Sequence, residues 1–472
     1  MKPRILIPIT VQFSVRYLVR TGLLNLIREY ARPVIVLGWK DHVLSRELEM
    51  LGIDVYQLPS KQIGVQYSRL LAQLTQWHLL RINTPTTAID RRRTQKMMPL
   101  TFLKLRKNLR DALYYLIMQF PPYVNYLLAR QKLMIWQDTN LCEYLDLVKQ
   151  IMPDVVFCLT PYFIEEEFLL RAAQELEIPL CTAILSFDNL TTRPYIPVRF
   201  EKYLLWNKYN EAELHRIYPE SASKSVEIVG APQFDFYYDA SYVWREEAWR
   251  SELGLPPSRP VILFGSASAI IAPQEEQWLL DIDRAIDQDK IINRPIVLLR
   301  RHPNEPAERW DWLRGRTKNV FFDEPWQGGS DVMGKTNVTR RDIEKLASTL
   351  YHSAVHINAS STMTVDGSIF DRPQIGPAYD NRKKYHRVAY EIYLREHYLP
   401  ITKSGGLEIV RSRNELIQAV NNAFQYPGRL SENRKTLVRE ICTYSDGLCT
   451  DRVNQALKAF VENINNGNAV LP

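Results

Sequence analysis

The chain is 472 residues long, 46% hydrophobic and 24% charged. That excludes a disordered or low-complexity protein, and it exceeds the size at which one core stops growing, so two domains are expected. The 60 basic and 53 acidic residues leave a charge of +7, which suits an anionic substrate or a membrane surface and does not by itself indicate nucleic acid.

The five cysteines, Cys142, Cys158, Cys181, Cys442 and Cys449, are odd in number and form no CxxC pair. Reduced thiols in a cytoplasmic protein are the expectation. Met1-Lys2-Pro3-Arg4 leads into a short apolar run and then polar residues, which does not read as a secretory signal.

Taken in order, Arg4–Thr10 reads as a buried strand and Ser14–Tyr30 as an amphipathic helix. Strand Pro33–Gly38, helix Ser45–Leu51 and strand Ile53–Leu58 follow. Strands alternating with helices at this spacing predict a parallel, right-handed α/β sheet. The first turn, Pro8 to Ser14, lacks GxGxxG, so a dinucleotide cofactor has no support there.

Residues 66–148 break the rhythm. They hold Arg91-Arg92-Arg93, then Lys104, Arg106, Lys107 and Arg110 among leucines, then an uncharged run from Ala112 to Ala129. Pro121-Pro122 in that run argue against a single membrane span. Two readings stand: a helical insertion packed on the first domain, or a basic, aromatic-rich surface over 91–135 that rests on anionic lipid.

The sheet resumes at Asp154–Leu159, followed by helix Glu165–Leu176 and strand Leu180–Leu185, which runs into Ser186-Phe187-Asp188-Asn189-Leu190-Thr191-Thr192. A carboxylate just after a strand is a candidate general base, with Asn189 and Thr191 as acceptor-side groups. Asp188 and Asn189 are equally ordinary turn formers. Strand Lys202–Trp206 and Val226–Val229 close the first domain at 1–236. The segment 237–259 reads as a linker to a second domain at 260–472.

The second domain opens with Val261–Gly265 followed by Ser266 and Ser268. Gly265 would let the backbone pass close to a ligand, and the serines can donate to phosphate. The strand Ile296–Leu299 stops in Arg300-Arg301-His302-Pro303. The segment Gly328–Asn337 reads as a lid. Strand Val355–Asn358 then gives way to Ser360-Ser361-Thr362 at a helix start, an arrangement that offers free N–H groups and the positive end of a helix dipole. Arg300, Arg301 and His302 at a neighbouring strand end would face the same crevice and hold the phosphates of an activated donor. Plain N-caps and solvated arginines are the alternative. Asp366, over a turn farther on, would reach a ribose or sugar hydroxyl, or lie in the core. His356 reads as a core histidine, while His352, His386 and His397 stay open.

In order, Phe187-Asp188-Asn189-Leu190-Thr191, Leu204-Leu205-Trp206-Asn207, Gly230-Ala231-Pro232-Gln233-Phe234-Asp235, Arg301-His302-Pro303 and Ser360-Ser361-Thr362 with Asp366 resemble a family of bacterial surface-polymer transferases. These have the GT-B fold, and include glycosyltransferases and CDP-glycerol glycerophosphotransferases. The resemblance implies two Rossmann-like domains whose parallel sheets face across a cleft, nucleotide in the C-terminal half and acceptor in the N-terminal half. It implies that His302 contacts the donor phosphate, as do Ser360, Ser361 and Thr362, with Asp188 and Asn189 on the acceptor side. No glycine-rich acceptor loop stands near the N-terminus, which leaves the base unassigned.

The expected activity is transfer of a sugar from a UDP-, CDP- or CMP-linked donor to a polysaccharide or lipid-linked acceptor. No tightly bound cofactor and no metal are expected, and the expected place is the cytoplasm or the inner face of the cell membrane. A teichoic-acid-type CDP-polyol phosphotransferase, a UDP-sugar 2-epimerase and a non-catalytic nucleotide-binding scaffold are the alternatives.

Overall fold

In the computed structural model the described residues are 2–82, 120–303, 305–306, 308–325, 337–380 and 386–466, with Thr86 and short helical pieces between 105 and 117. The runs 91–104, 326–336 and 381–385 lie outside them, and with them Arg91-Arg92-Arg93 and most of the expected lid. The chain divides into two compact units, one of residues 1–229 with 451–472, the other of residues 230–450.

The first unit carries a seven-stranded parallel sheet of β1 (Arg4–Ile9), β2 (Arg32–Leu37), β3 (Asp54–Gln57), β4 (Val155–Cys158), β5 (Leu180–Ala183), β6 (Lys202–Leu205) and β7 (Ser225–Ile228). Their spatial order is β3-β2-β1-β4-β5-β6-β7. Side chains alternate between two apolar layers, as the period-two geometry of a strand requires. Ile5, Ile7 and Ile9 face the layer that contains Leu23, Leu44 and Leu457, while Leu6, Val156 and Cys158 face the layer under Leu70, Leu127 and Tyr144. The expected single helix over 14–30 is broken. Gly22 adopts φ 83° in front of the helix Leu23–Tyr30, and a π-turn spans Arg16–Arg20.

Residues 66–148 are a helical insertion where they are described. Helices Val65–Ile82, Pro121–Gln137 and Leu141–Ile151 bury Tyr67, Leu74, Leu127 and Tyr144 in the core. Pro121-Pro122 open a helix, a position where proline is tolerated, and do not interrupt one. Among the described residues no helix is long and apolar enough to cross a membrane.

The second unit repeats the plan with β8 (Val261–Gly265), β9 (Ile296–Arg300), β10 (Val320–Asp323), β11 (Val355–Asn358), β12 (Gln374–Pro377) and β13 (Leu407–Val410). Its order is β10-β9-β8-β11-β12-β13, all parallel. The segment 237–259 is not a free linker. It forms a helix, Glu246–Glu252, whose Trp249 is fully buried and donates through Nε1 to the Thr349 hydroxyl at 3.0 Å. The boundary falls at Val229/Gly230, and Asp451–Pro472 return to the first unit because Val453, Leu457 and Val461 fill its apolar layer.

Candidate active site

Both sheets reverse their winding between the first and fourth strands of the unit, and ligands of such sheets sit outside the carboxyl ends at that point. In the second unit those ends are level. Asp323 pairs in register with Arg300, Arg300 with Gly265, and Gly265 with Asn358. The basic tip after β9 and the hydroxyl tip after β11 therefore share one end of the sheet. They are not adjacent, because β8 runs between them. Ser266 ties β8 to β9, its hydroxyl accepting the His302 N–H at 2.9 Å while its own N–H donates to the Arg300 carbonyl at 3.0 Å.

The expected cations are largely occupied. Arg300 is buried, its guanidinium bonded to Asp323 and to the Pro325 carbonyl, and Lys345 reaches the same Asp323 at 2.9 Å. A cation so paired in the interior is a structural group, and the expected phosphate contact of Arg300 is corrected accordingly. Arg301 binds Glu324 at 2.6 Å and the Glu305 carbonyl. Burial pushes the His302 imidazole below its usual range, with Arg309 and Arg301 acting in the same direction and Glu305 opposing them. His302 is therefore neutral near pH 7, a hydrogen-bonding group rather than a charge.

The hydroxyl tip is also partly committed. Ser360 adopts φ 50° and donates to the Ile392 carbonyl at 2.9 Å. Ser361 accepts the N–H of Met363 at 3.2 Å, and the helix Met363–Ile369, of only 7 residues, has Thr362 at its N-cap with no side-chain capping bond. Thr362 is the exposed member of the three.

Gly265 makes its close approach to protein rather than to a ligand. A Cβ there would stand 2.6 Å from Met363 Sδ, which packs the tips of β8 and β11 together. The Ser268 carbonyl accepts the N–H groups of Ile271 and Ala272 and so builds a turn. Asp366 is buried and accepts the Tyr237 hydroxyl at 2.5 Å, which places it in the packing of this unit and corrects the sugar-hydroxyl expectation. His356 is the core histidine expected, bonded to the Leu350 carbonyl at 3.1 Å and to Gln374 at 3.2 Å. His397 is buried, and His352 bonds the Trp244 carbonyl at 2.7 Å. The side chain of His386 lies outside the described residues.

Sequence reasoning missed the group beneath the β8 loop. Arg309 donates to the carbonyls of Ala267 and Ala272 and pairs with Glu275 at 2.9 Å and Glu305 at 3.3 Å. The same carboxylates accept the N–H groups of Ala267 and Ala269. Only the opposite charges were visible in the sequence, not their convergence.

In the first unit Asp188 shows its turn role. It accepts Asn189 Nδ2 at 3.2 Å and the Thr192 hydroxyl at 3.4 Å, while its carbonyl takes the hydroxyls of Thr191 and Thr192. Asn189 is buried and accepts the Tyr162 hydroxyl, and Thr191 is fully buried. Among the described residues no group of three or more His, Cys, Asp or Glu is arranged to hold a metal ion.

Two parallel α/β units, each wound in this order, define a GT-B-type protein. Within that class, the chain belongs to the CDP-glycerol:poly(glycerophosphate) glycerophosphotransferase family, a family of transferases, whose model matches residues 198–458, more than half of the chain. The match includes the tips of β8, β9 and β11 and begins after Asp188, Asn189 and Thr191.

Among solved structures the chain is similar to the S. aureus MnaA–UDP co-structure, with 12% identity, 98% of this chain and 97% of that one covered, and a TM-score of 0.56. It is similar to UDP-GlcNAc 2-epimerase from Neisseria meningitidis bound to UDP-GlcNAc, with 10% identity, 97% and 100% covered, and a TM-score of 0.54. At these identities the likeness concerns the fold alone. The wall teichoic acid polymerase TagF is matched over 66% of this chain and 72% of that one at 14% identity and a TM-score of 0.42. Among curated proteins none matches.

Proposed function

We propose that this chain transfers a polyol phosphate from a CDP-activated donor to a hydroxyl of a surface-polymer or lipid-linked acceptor. The second unit holds the donor. The observation that carries this reading is the level end of β9, β8 and β11, with His302 bonded to Ser266, inside the stretch matched by the glycerophosphotransferase family. Family membership favours polyol-phosphate transfer over the sugar transfer expected first.

In this reaction the acceptor oxygen forms a bond to the donor phosphorus, and the bond from that phosphorus to the bridging oxygen breaks. CMP leaves with the electron pair, and the acceptor proton passes to a base. Negative charge grows on the leaving phosphate, and preorganised donors meet it best. Neutral His302 supplies an imidazole N–H and Thr362 a hydroxyl, while Arg309, paired with Glu275 and Glu305, holds the loop after β8 in place. No metal or bound cofactor is part of this reading, so a chelator should leave turnover unchanged.

A lipid-linked acceptor suits the exposed apolar residues Leu105, Leu109, Leu113, Leu116 and Phe120, with exposed Arg106 and Arg110 beside them in the sequence. Such a composition fits the anionic inner face of a membrane. Flotation with anionic vesicles tests it, and protein remaining at the bottom of the gradient would remove the membrane from the proposal.

The central test incubates the protein with CDP-glycerol and a glycerophosphate-primed acceptor and follows CMP release. Turnover of a UDP-sugar instead would restore sugar transfer, and interconversion of UDP-sugars without acceptor would indicate an epimerase. Absence of any thermal shift with CDP, CMP, UDP or GDP compounds would leave a scaffold, since a ligand at a hundred times its Kd stabilises by about 2.7 kcal/mol.

A further inference from the structure

The reversal point of the first sheet holds a buried carboxyl that none of the assignments above uses. β1 and β4 are neighbours, with Ile5 opposite Val155 and Leu6 opposite Val156. Just past their ends stand Thr10 and Thr160, and both hydroxyls donate to Glu166 Oε1, Thr10 at 2.5 Å. Cys158 donates its thiol to Oε2 at 2.7 Å. Glu166 and Thr160 are fully buried and Thr10 is 2% exposed, and among the described residues Glu166 has no ion-pair partner.

A carboxyl buried without a countercharge is costly, and a glutamine or an apolar side chain would serve stability better. The placement is where an α/β sheet presents its ligand site. Two further observations point the same way. Gln12 Nε2 and Ser14 Oγ, two and four residues past Thr10, are buried and have no hydrogen-bond partner among the described residues. In the turn that follows Thr10, Val11 is half-buried and Phe13 is 44% exposed. The chain then enters the π-turn Arg16–Arg20, a feature frequent at functional sites.

We propose that the carboxyl ends of β1 and β4 form the acceptor-hydroxyl site, and that Glu166 takes the acceptor proton through the hydroxyls of Thr10 and Thr160. The ligand class is an aliphatic alcohol of a polyol or sugar chain, admitted when the turn at 11–14 moves aside. This deepens the transferase reading and rests on it. The acceptor hydroxyl gives its proton to the Thr10 oxygen as its own oxygen bonds phosphorus, and Thr10 passes its proton to Glu166 Oε1. The proton returns to solvent by the same hydroxyls after product leaves. Glu166 touches no substrate and acts as a positioning residue.

Burial, opposed by the hydrogen bonds from Cys158, Thr10 and Thr160, pushes the Glu166 carboxyl up to about 7. The Cys158 thiol and the Tyr162 hydroxyl are both pushed up by burial, and Cys181 on β5 likewise. Of its helix neighbours, Glu167 is held by Arg171 and Glu165 by Lys61.

The test compares kcat against pH for the full chain, Glu166→Gln, Glu166→Asp and Thr10→Val. Wild type should gain turnover as pH rises through about 7. Glu166→Gln should lose that limb and about a hundredfold or more in kcat, with KM for the donor unchanged. Glu166→Asp should recover part of the loss, and Thr10→Val should lower kcat with the donor KM intact. Turnover by Glu166→Gln with the wild-type profile would overturn the inference and leave the transferase reading standing.

An infrared titration needs neither variants that turn over nor a donor. A protonated-carboxyl band that fades through about pH 7 and shifts when a glycerophosphate oligomer is added supports the site. A band indifferent to the oligomer overturns it, even where no donor is consumed and the transferase reading itself has failed.

Discussion

The hydroxyl of Ser266 accepts the main-chain N–H of His302 at 2.9 Å, so the last turn of β8 holds the tip of β9 in place. The imidazole orientation thus depends on a residue 36 positions earlier. Ser266→Ala should lower kcat about tenfold with a loss of stability near 1 kcal/mol, the net worth of one hydrogen bond. His302→Ala should lower kcat by about tenfold to a thousandfold with folding intact. Paired CMP-release kinetics and urea titrations check both, and normal kinetics in a folded His302→Ala would withdraw the phosphate contact.

Arg300 should behave in the opposite way. Removing it leaves Asp323 and the Pro325 carbonyl short of a donor in the interior, with Lys345 as the remaining countercharge. Arg300→Met is expected to cost about 3 kcal/mol or more of stability. Denaturant unfolding measures this, and a variant of wild-type stability with lost donor affinity would return Arg300 to the ligand.

His356 links stability to pH. Burial lowers its pKa to about 3, so the unfolded chain binds a proton below its ordinary value near 6.5 while the folded chain does not. Its contribution is present above pH 6.5 and declines by about 1.4 kcal/mol per pH unit as pH falls toward 3. The buried carboxyls Glu166 and Glu275 have raised pKa values and act with the opposite sign between their ordinary values and about 7, or above for Glu275. The quantity to measure is therefore the difference between wild type and His356→Gln. It should shrink as pH drops from 6.5 to 4.5, and a constant difference would contradict the buried neutral ring.

Two glycines should respond unequally to a methyl group. At Gly367 a Cβ would lie 2.1 Å from His356 Nδ1 and 2.3 Å from Gln374 Nε2, both in a buried bonded pair. At Gly265 it would meet the flexible end of Met363. Gly367→Ala should cost about 1–3 kcal/mol or more, and Gly265→Ala less. Thermal unfolding of the two variants gives the order.

The strands were legible because each is an apolar run bounded by turn residues, and the alternation of Ile5, Ile7 and Ile9 with Leu6 survives as two core layers. Topology was not, since nothing local in Val261–Gly265 says that β8 separates β9 from β11. Charge was visible and its pairing was not. Arg300 reads as a ligand until Asp323, 23 residues on, is brought to the level of its strand. Glu166 was hidden for a simpler reason. Glu165, Glu166 and Glu167 look alike in sequence, but consecutive helix positions point about 100° apart. Glu165 meets solvent and Lys61, and Glu167 joins Tyr67, Gln131 and Arg171. Glu166 alone points to the strand ends.

The return of the last helix, Cys449–Asn465, has a practical bearing on dissection of this chain. A fragment cut after Val229 would keep all of its strands yet lack Val453, Ala456, Leu457, Phe460 and Val461, and would expose the apolar layer they cover. Such a fragment is expected to aggregate when expressed alone. Splicing 1–229 to 451–472 through a short flexible connector should give a soluble half, whereas the complementary piece 230–450 already contains its own sheet and needs no graft.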